Sequence, residues 1–162
     1  MSGSFPRWNR PSTVSDPYNA SMLIRVFVDS DVVISSLISR TGAAYLLMHD
    51  ARIARFVSDA SLSELKQVAR VLHLSQKDLQ KLVQTHCEVV RIVARKNTML
   101  RRMTEYTRDT NDAHIVVGAK EVKAKFLVTY NTKHYKIEKI REDIGIIVLP
   151  PAFLLQYLRS LN

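Results

Sequence analysis

The sequence is poor in several features that would each point to a particular environment. It has one cysteine, Cys87, among 162 residues, so a disulfide within the chain is excluded. Its apolar runs are far shorter than the roughly 20 residues that cross a bilayer, and its first residues lack the apolar segment of a secretory signal. Acidic residues are also few, with 15 Asp and Glu against 24 Lys and Arg. We therefore expect a protein of the reducing cytoplasm that has no membrane partner.

The composition is that of a globular protein with a strong positive charge. Hydrophobic residues make up 46% of the chain, which is enough for a substantial core in one domain. The net charge of +9 favours a polyanionic partner, and nucleic acid is the first candidate. Residues 1–21 hold three of the five prolines and show no apolar period, so they are expected to form a disordered tail before a single domain at residues 22–162.

Short apolar segments alternate with segments of helical period along this domain. The pattern predicts strands at residues 23–28, 55–58, 88–93, 125–129 and 145–149. It predicts helices at residues 32–38, 43–53, 62–72, 75–86 and 112–120, and a terminal helix that starts at Pro150 and Pro151. Strands that alternate with helices in this way predict a layered α/β fold with a parallel sheet.

Three acidic residues lie near the predicted carboxyl ends of the strands. Asp29 follows the first strand, Glu64 lies in the helix after the second, and Asp112 begins the helix before the fourth. Because ligands of such folds bind at the carboxyl edge of the sheet, these carboxylates are expected to converge there. Carboxylates held close together repel one another unless a cation neutralises them, so we predict a Mg²⁺ or Mn²⁺ site. His114 follows Asp112 by two residues and is expected to point away from it on a helix.

A divalent cation held by carboxylates activates water for attack on a phosphodiester, which is the chemistry of a metal nuclease. The stretch from Arg91 to Arg108 has six basic residues and one acid, and we interpret it as an exposed basic loop. The residues predicted to bind the nucleic acid are Arg101, Arg102, Arg108, Lys133, His134 and Lys136.

Three segments, taken in their order along the sequence, resemble segments of a known family. They are VFVDSDVVISSL from Val26, SDASLSELKQV from Ser58, and RDTNDAHIVVGAKEVKAKFLVTYNTKHY, which ends at Tyr135. In order and spacing they resemble the PIN-domain family, the PilT N-terminal nucleases, and particularly the toxin ribonucleases of toxin-antitoxin pairs. The resemblance implies a three-layer α/β/α fold with a central parallel sheet. It also implies an RNA substrate, an antitoxin partner, a homodimer, and Mg²⁺ or Mn²⁺ held by Asp29, Glu64 and Asp112.

The sequence departs from the family pattern at one position of the expected site. Relatives usually carry a fourth acid after the strand that ends in Thr, and here Asn131 occupies that position. Asn131 still offers a neutral oxygen to a cation. Asp31 stands where many relatives have Asn, so we hypothesise that one carboxylate has been redistributed within the site and that Asp31 is a further metal ligand.

Two other functions are compatible with these residues. The replacement by Asn131 is compatible with a PIN-like module that binds RNA or an antitoxin without cutting. The segment Asp29-Ser30-Asp31 after an apolar strand also resembles the DxD motif of haloacid-dehalogenase-like phosphatases, in which Asp29 would be a covalent nucleophile. That motif is normally followed two residues later by Thr, whereas this chain has Val33.

Overall fold

The computed structural model describes residues 23–92 and 101–161. The predicted disordered tail at residues 1–21 lies outside the described residues, as does part of the basic stretch, residues 93–100. No helix within the described parts of the chain is both long enough and apolar enough to cross a membrane.

The centre of the molecule is a sheet of parallel strands, as the sequence predicts. Its strands are β1 (Ile24–Val28), β2 (Ile53–Ser58), β3 (Cys87–Val90), β4 (Phe126–Val128) and β5 (Ile147–Leu149). Within the described residues their spatial order is β3-β2-β1-β4-β5, and every neighbouring pair is parallel. All carboxyl ends therefore lie along one edge, and β1, the strand followed by Asp29, occupies the middle of the sheet.

Helices connect and cover the strands. They are α1 (Ser30–Ile38), α2 (Ala43–Met48), α3 (Asp59–Val71), α4 (Gln76–His86), α5 (Ala113–Glu121), α6 (Ile137–Ile144) and α7 (Pro151–Arg159). Single 3-10 turns are formed by Thr104–Tyr106, Thr110–Asp112 and Thr132–His134. The predicted terminal helix begins with Pro151 in its first turn, where the missing N–H of proline is harmless.

Helices cover both faces of the sheet, which explains why most of its strand residues are apolar. The charged exceptions in the strands are Arg25, Arg55 and Glu88. Val26 and Val28 of β1 join one core cluster together with residues of α1 to α4 and α7, such as Leu65 and Leu154. Phe27 faces the opposite cluster, which includes residues of α5 and α6. Two helical layers thus enclose the sheet, and the three-layer α/β/α fold is confirmed.

The prediction of one helix over residues 43–53 is wrong, because α2 ends at Met48 and β2 begins at Ile53. A buried cation explains the stop. The guanidinium of Arg55 donates hydrogen bonds to the carbonyls of Leu47 at 3.0 Å, Ile53 at 3.3 Å and Asp50. The carbonyl oxygens of Leu47 and Asp50 thus accept hydrogen bonds from Arg55, whereas in a longer helix they would accept them from backbone N–H groups.

The interpretation of residues 91–108 as an exposed loop also needs correction within its described part. Met103 and Tyr106 are buried, and Tyr106 donates a hydrogen bond to Asp143 at 3.1 Å. Apolar contacts to the core near α6 therefore hold this segment in place, while Arg101, Arg102 and Arg108 remain exposed.

Candidate active site

Asp29 lies where β1 gives way to α1, and its carboxylate is held by three donors. As the N-cap of α1, it accepts a hydrogen bond through Oδ1 from the backbone N–H of Ser30 at 2.7 Å. Its Oδ2 accepts hydrogen bonds from the hydroxyls of Thr129 at 2.9 Å and Tyr135 at 2.8 Å. Asp29 is therefore fixed in position by residues that follow β4, the neighbouring strand.

Glu64 reaches the same edge from α3. That helix begins directly after β2, and Ser58 caps it by accepting a hydrogen bond from the backbone N–H of Ser61 at 3.0 Å. The side chain of Glu64 is exposed, and its Oε2 accepts a hydrogen bond from the hydroxyl of Ser30 at 3.3 Å. Since Ser30 adjoins Asp29 in the chain, this contact places the second acid beside the first.

Asp112 arrives from the 3-10 turn that precedes α5. Its Oδ2 forms a 3.0 Å contact with Nδ1 of His134. Burial and the nearby charge of Asp29 raise the pKa of Asp112, and His134 opposes part of that rise. Because His134 and Tyr135 are adjacent in the chain, one short segment contacts both Asp112 and Asp29.

Asp31 holds the loop that follows β4. Its Oδ2 accepts hydrogen bonds from the backbone N–H groups of Tyr130 at 3.0 Å and Asn131 at 3.2 Å, and from the hydroxyl of Thr129 at 3.3 Å. Its Oδ1 is buried and has no partner among the described residues. Burial and the charge of Asp29 raise the pKa of Asp31 to about 6. The backbone of Asn131, the residue in place of the fourth acid, is thus bound to Asp31.

His114 is a further polar residue near the acidic centre. Its Nδ1 lies 3.0 Å from the hydroxyl of Ser58, and Asp29, Glu64 and Asp112 all act electrostatically on the ring. Burial outweighs these charges and lowers the pKa of His114. Asp112 itself lies in the 3-10 turn before α5, and His114 lies in the first turn of α5.

Thr129 and Tyr135 are two further site residues that the sequence did not single out. Burial and the charge of Asp29 raise the pKa of Tyr135, so its hydroxyl stays protonated and donates to Asp29. Neither residue carries a sequence signal for this role, because their partner is about 100 residues away in the chain. Only the parallel pairing of β1 with β4 brings them together.

The predicted nucleic-acid-binding residues occupy three places. Arg108 and Lys133 line one cavity together with Lys136. His134 is half-exposed and contacts Asp112, so it belongs to the acidic centre. Arg101 and Arg102 are exposed at the start of the second described part of the chain, near the buried Met103.

The oxygen atoms available at this site are of the kind that a hard divalent cation prefers. They are carboxylate oxygens at one edge of the sheet, and one of them, Oδ1 of Asp31, is buried without a partner among the described residues. In the described parts of the chain, however, no three acidic, histidine or cysteine side chains are already arranged to hold one ion. Asp29 and Asp112 are instead engaged by donors of the protein itself.

The fold, with its carboxylates at the carboxyl edge of the sheet, is that of a class of three-layer α/β/α proteins. Comparison with known families identifies the family within this class. A family model described as a PIN domain matches residues 25–133. The chain therefore belongs to the PIN-domain family. A comparison with curated protein sequences gives no match.

Solved structures with this fold include components of toxin-antitoxin complexes. The chain is 18% identical to one in a toxin-antitoxin complex from Klebsiella pneumoniae, with a TM-score of 0.55 over 78% of this chain and 97% of that one. For VapBC2 from Rickettsia felis, solved with a DNA fragment from its promoter, the identity is 15% and the TM-score 0.53, over 78% and 98% of the two chains. For VapBC-1 from nontypeable Haemophilus influenzae the values are 16% and 0.52, over 80% and 99%. At these identities the likeness concerns the fold.

Proposed function

We propose that this chain is a metal-dependent ribonuclease and the toxin of a toxin-antitoxin pair. The observation that carries the proposal is the link between three acids from separate elements of a PIN-domain fold. Ser30, which adjoins Asp29, contacts Glu64, and the charge of Asp29 acts on Asp112. The toxin-antitoxin complexes among proteins of the same fold support the second half of the proposal, including an antitoxin partner. A homodimer is part of the proposal as an expectation from the family resemblance.

In this proposal Asp29, Glu64 and Asp112 hold Mg²⁺ or Mn²⁺, and Asp31 and Asn131 supply further oxygen atoms. The bound cation would polarise the phosphodiester and lower the pKa of an attacking water. Thr129 and Tyr135 fix the orientation of the Asp29 carboxylate, and His134 does the same for Asp112. The side chains of Arg101, Arg102, Arg108 and Lys133 attract the RNA to an edge whose acids alone would repel it.

Cleavage of a mixed pool of transfer RNA, messenger RNA and single-stranded DNA tests the function. We expect the wild-type protein to cut RNA with Mg²⁺ or Mn²⁺ and to be inactive in EDTA. Asp112→Asn keeps the size of the side chain and removes its charge, so cutting should fall roughly 100-fold or more. Asp78→Asn, an exposed acid of α4, is the matched control and should cut like the wild type.

Metal binding is measured separately from cutting. Mn²⁺ should raise the midpoint of thermal unfolding of the wild-type protein, because a ligand that binds only the folded state stabilises it. Asp29→Asn and Asp112→Asn should each remove most of that rise. A folded wild-type protein that neither cuts RNA nor responds to Mn²⁺ would contradict the proposal.

A non-cutting RNA-binding module is the second candidate, and Asn131 favours it. The missing fourth carboxylate lowers the negative charge available for a cation, and Asn131 itself is exposed with its backbone bound to Asp31. Retained RNA binding without any metal-dependent cutting would select this function. The phosphatase alternative has less support, because the PIN-domain match covers the Asp29-Ser30-Asp31 segment that suggested it.

A further inference from the structure

A cavity of about 590 Å³ opens next to the acidic centre. It is lined by Arg108, Thr132, Lys133, Tyr135, Lys136, Ile137, Glu138 and Lys139. It is wide open to solvent, which suits one segment of an extended strand better than an enclosed small molecule. Tyr135 belongs to both places, because it lines the cavity while its hydroxyl contacts Asp29.

The backbone explains how Arg108 and Lys136 come to lie on the same side of this region. Thr107 and Tyr135 form an antiparallel bridge, which is extended by hydrogen bonds from Arg108 N–H to His134 at 2.7 Å and from Lys136 N–H to Tyr106 at 2.9 Å. Side chains alternate between the two faces of such a ribbon. Thr107 and Tyr135 are accordingly buried, and Arg108 and Lys136 are exposed.

The charges that line the cavity do not cancel. Glu138 is paired with Arg141 at 2.6 Å, and Lys139 is paired with Asp143 at 3.0 Å and Glu105 at 3.7 Å. Those pairs leave Arg108, Lys133 and Lys136, which have no carboxylate partner within residues 23–92 and 101–161. Three uncompensated cations around one cavity favour a ligand with negative charge.

We propose that this cavity is a phosphate subsite for RNA, in which Arg108, Lys133 and Lys136 bind the phosphodiester that neighbours the one facing the acids. This inference rests on the proposed function. Its specific support is the position of Tyr135, since a single tyrosine side chain separates the cavity from Asp29. That separation suits adjacent phosphates of an extended strand, whereas an acidic peptide has no comparable reason to continue toward a cluster of carboxylates.

Binding of a fluorescein-labelled 12-nucleotide RNA is measured by anisotropy in EDTA over a range of NaCl concentrations. The variant R108Q/K133Q/K136Q removes three charges from the cavity. For single-stranded nucleic acid, each phosphate contact contributes about 0.7 to the slope of log Kd against log salt, so the slope should fall by about 2. The Kd at low salt should rise at least about 10-fold.

The matched control is K77Q/K81Q/K120Q, which removes three exposed charges from α4 and the last turn of α5. It lowers the net charge equally, so it should reproduce only the small nonspecific part of the effect. Urea unfolding checks that both variants are folded, and the single change Lys136→Gln provides a milder second variant that should lower the slope by about 0.7. Equal slopes in the cavity variant and the control would overturn the inference.

Two further outcomes separate this inference from its alternatives. If the cavity variant binds RNA normally but loses binding of a poly-glutamate peptide, the cavity takes an acidic peptide and the inference is wrong. If RNA is cut normally and the cavity variant binds it normally, the subsite fails while the ribonuclease stands. Loss of RNA binding in the cavity variant, together with no cutting by the wild type, supports the subsite and overturns the ribonuclease alone.

Discussion

At the scale of single residues, the negative charge of Asp31 destabilises the fold but is useful in the proposed metal site. Its carboxylate accepts hydrogen bonds from the loop of Thr129 to Asn131, yet one oxygen is buried without a partner among the described residues, close to the negative charge of Asp29. Burial and the charge of Asp29 both destabilise the charged form of Asp31, which explains why the pKa of Asp31 is raised to about 6. In the proposed function the same residue supplies an oxygen to the cation.

The change Asp31→Asn distinguishes the effect of this charge on stability from its effect on metal binding. Because the folded state binds the Asp31 proton more tightly than the unfolded state, the charged group destabilises the fold fully above pH 6, and this effect disappears toward pH 4. Asn should therefore raise the free energy of unfolding at pH 7.5 by about 1 to 2 kcal/mol, after a discount for the exposed part of the side chain.

The gain should shrink as the pH falls from 7 to 4, as measured by urea unfolding of the metal-free protein. Glu142→Gln, at an exposed acid of α6, is the control and should show no such trend. The same Asp31→Asn change should weaken Mn²⁺ binding. Unchanged Mn²⁺ affinity would contradict the redistribution of a carboxylate to Asp31, and lower stability at pH 7.5 would contradict the electrostatic argument.

At the scale of elements, the sequence predicts the succession of the strands along the chain and their parallel arrangement, but not every helix. Residues 26–28 of β1 and all three residues of β4 are buried, so their apolar runs are sufficient to predict these strands. Strand β5 is predicted from its apolar run as well, although Ile147 is 38% exposed. Helix α6 was not predicted, because it has only eight residues and its single fully buried position is Ile140. Its apolar spacing is too brief to stand out from the many charged residues around it.

The candidate site divides in the same way. Local pattern places Asp29 after a strand, Glu64 in the helix after the second strand and Asp112 before a helix. A parallel fold then predicts that these acids approach one another at the carboxyl edge of the sheet. The donors Thr129, Tyr135 and His134 could not be predicted, because hydrogen bonds across 22 to 106 residues depend on tertiary contacts. The same holds for Arg55, whose burial ended α2 earlier than the helical period suggested.

Packing of α5 against β1 gives a prediction at this scale. A Cβ added at Gly118 would lie 2.5 Å from the ring atoms Cε2 and Cζ of Phe27. Alanine has a higher helix propensity by about 1 kcal/mol, but overpacking of a core contact costs about 1 to 3 kcal/mol. Gly118→Ala should therefore lower the free energy of unfolding by about 1 kcal/mol, and by no more than about 2 kcal/mol, as measured in urea.

Gly42→Ala is the matched control for this change. The nearest atom to its added Cβ is 3.7 Å away, in the side chain of Ser39, and its backbone angles suit alanine. We expect a change of no more than about 0.5 kcal/mol, because two effects oppose each other. Alanine is a poorer N-cap than glycine, but it also lowers the conformational entropy of the unfolded chain. If Gly118→Ala were as stable as this control, the contact with Phe27 would be looser than described.

At the scale of the whole molecule, the dominant feature is the positive charge of +9. Charges of one sign repel one another in the folded state, and salt screens that repulsion. Raising NaCl from 20 to 200 mM should therefore increase the midpoint of thermal unfolding of the metal-free protein, by about 2 to 4 °C for each kcal/mol of repulsion removed.

The variant K77Q/K81Q/K120Q tests the electrostatic origin of this response, since it reduces the charge from 9 to 9 − 3 = 6. Its unfolding midpoint should rise less steeply with salt than that of the wild-type protein. Identical responses would show that a specific effect of the added ions, and not repulsion between the protein's charges, causes the stabilisation.

The central position of β1 separates the parts of the acidic centre along the chain. The first partner of β1, strand β2, follows about 30 residues later, whereas its second partner, β4, follows about 100 residues later. Asp112, Thr129 and Tyr135 also belong to this later part of the chain. A fragment that stops before Tyr135 therefore lacks at least one of the donors that fix Asp29. In the proposed function, we expect RNA cutting only from chains that extend through Tyr135.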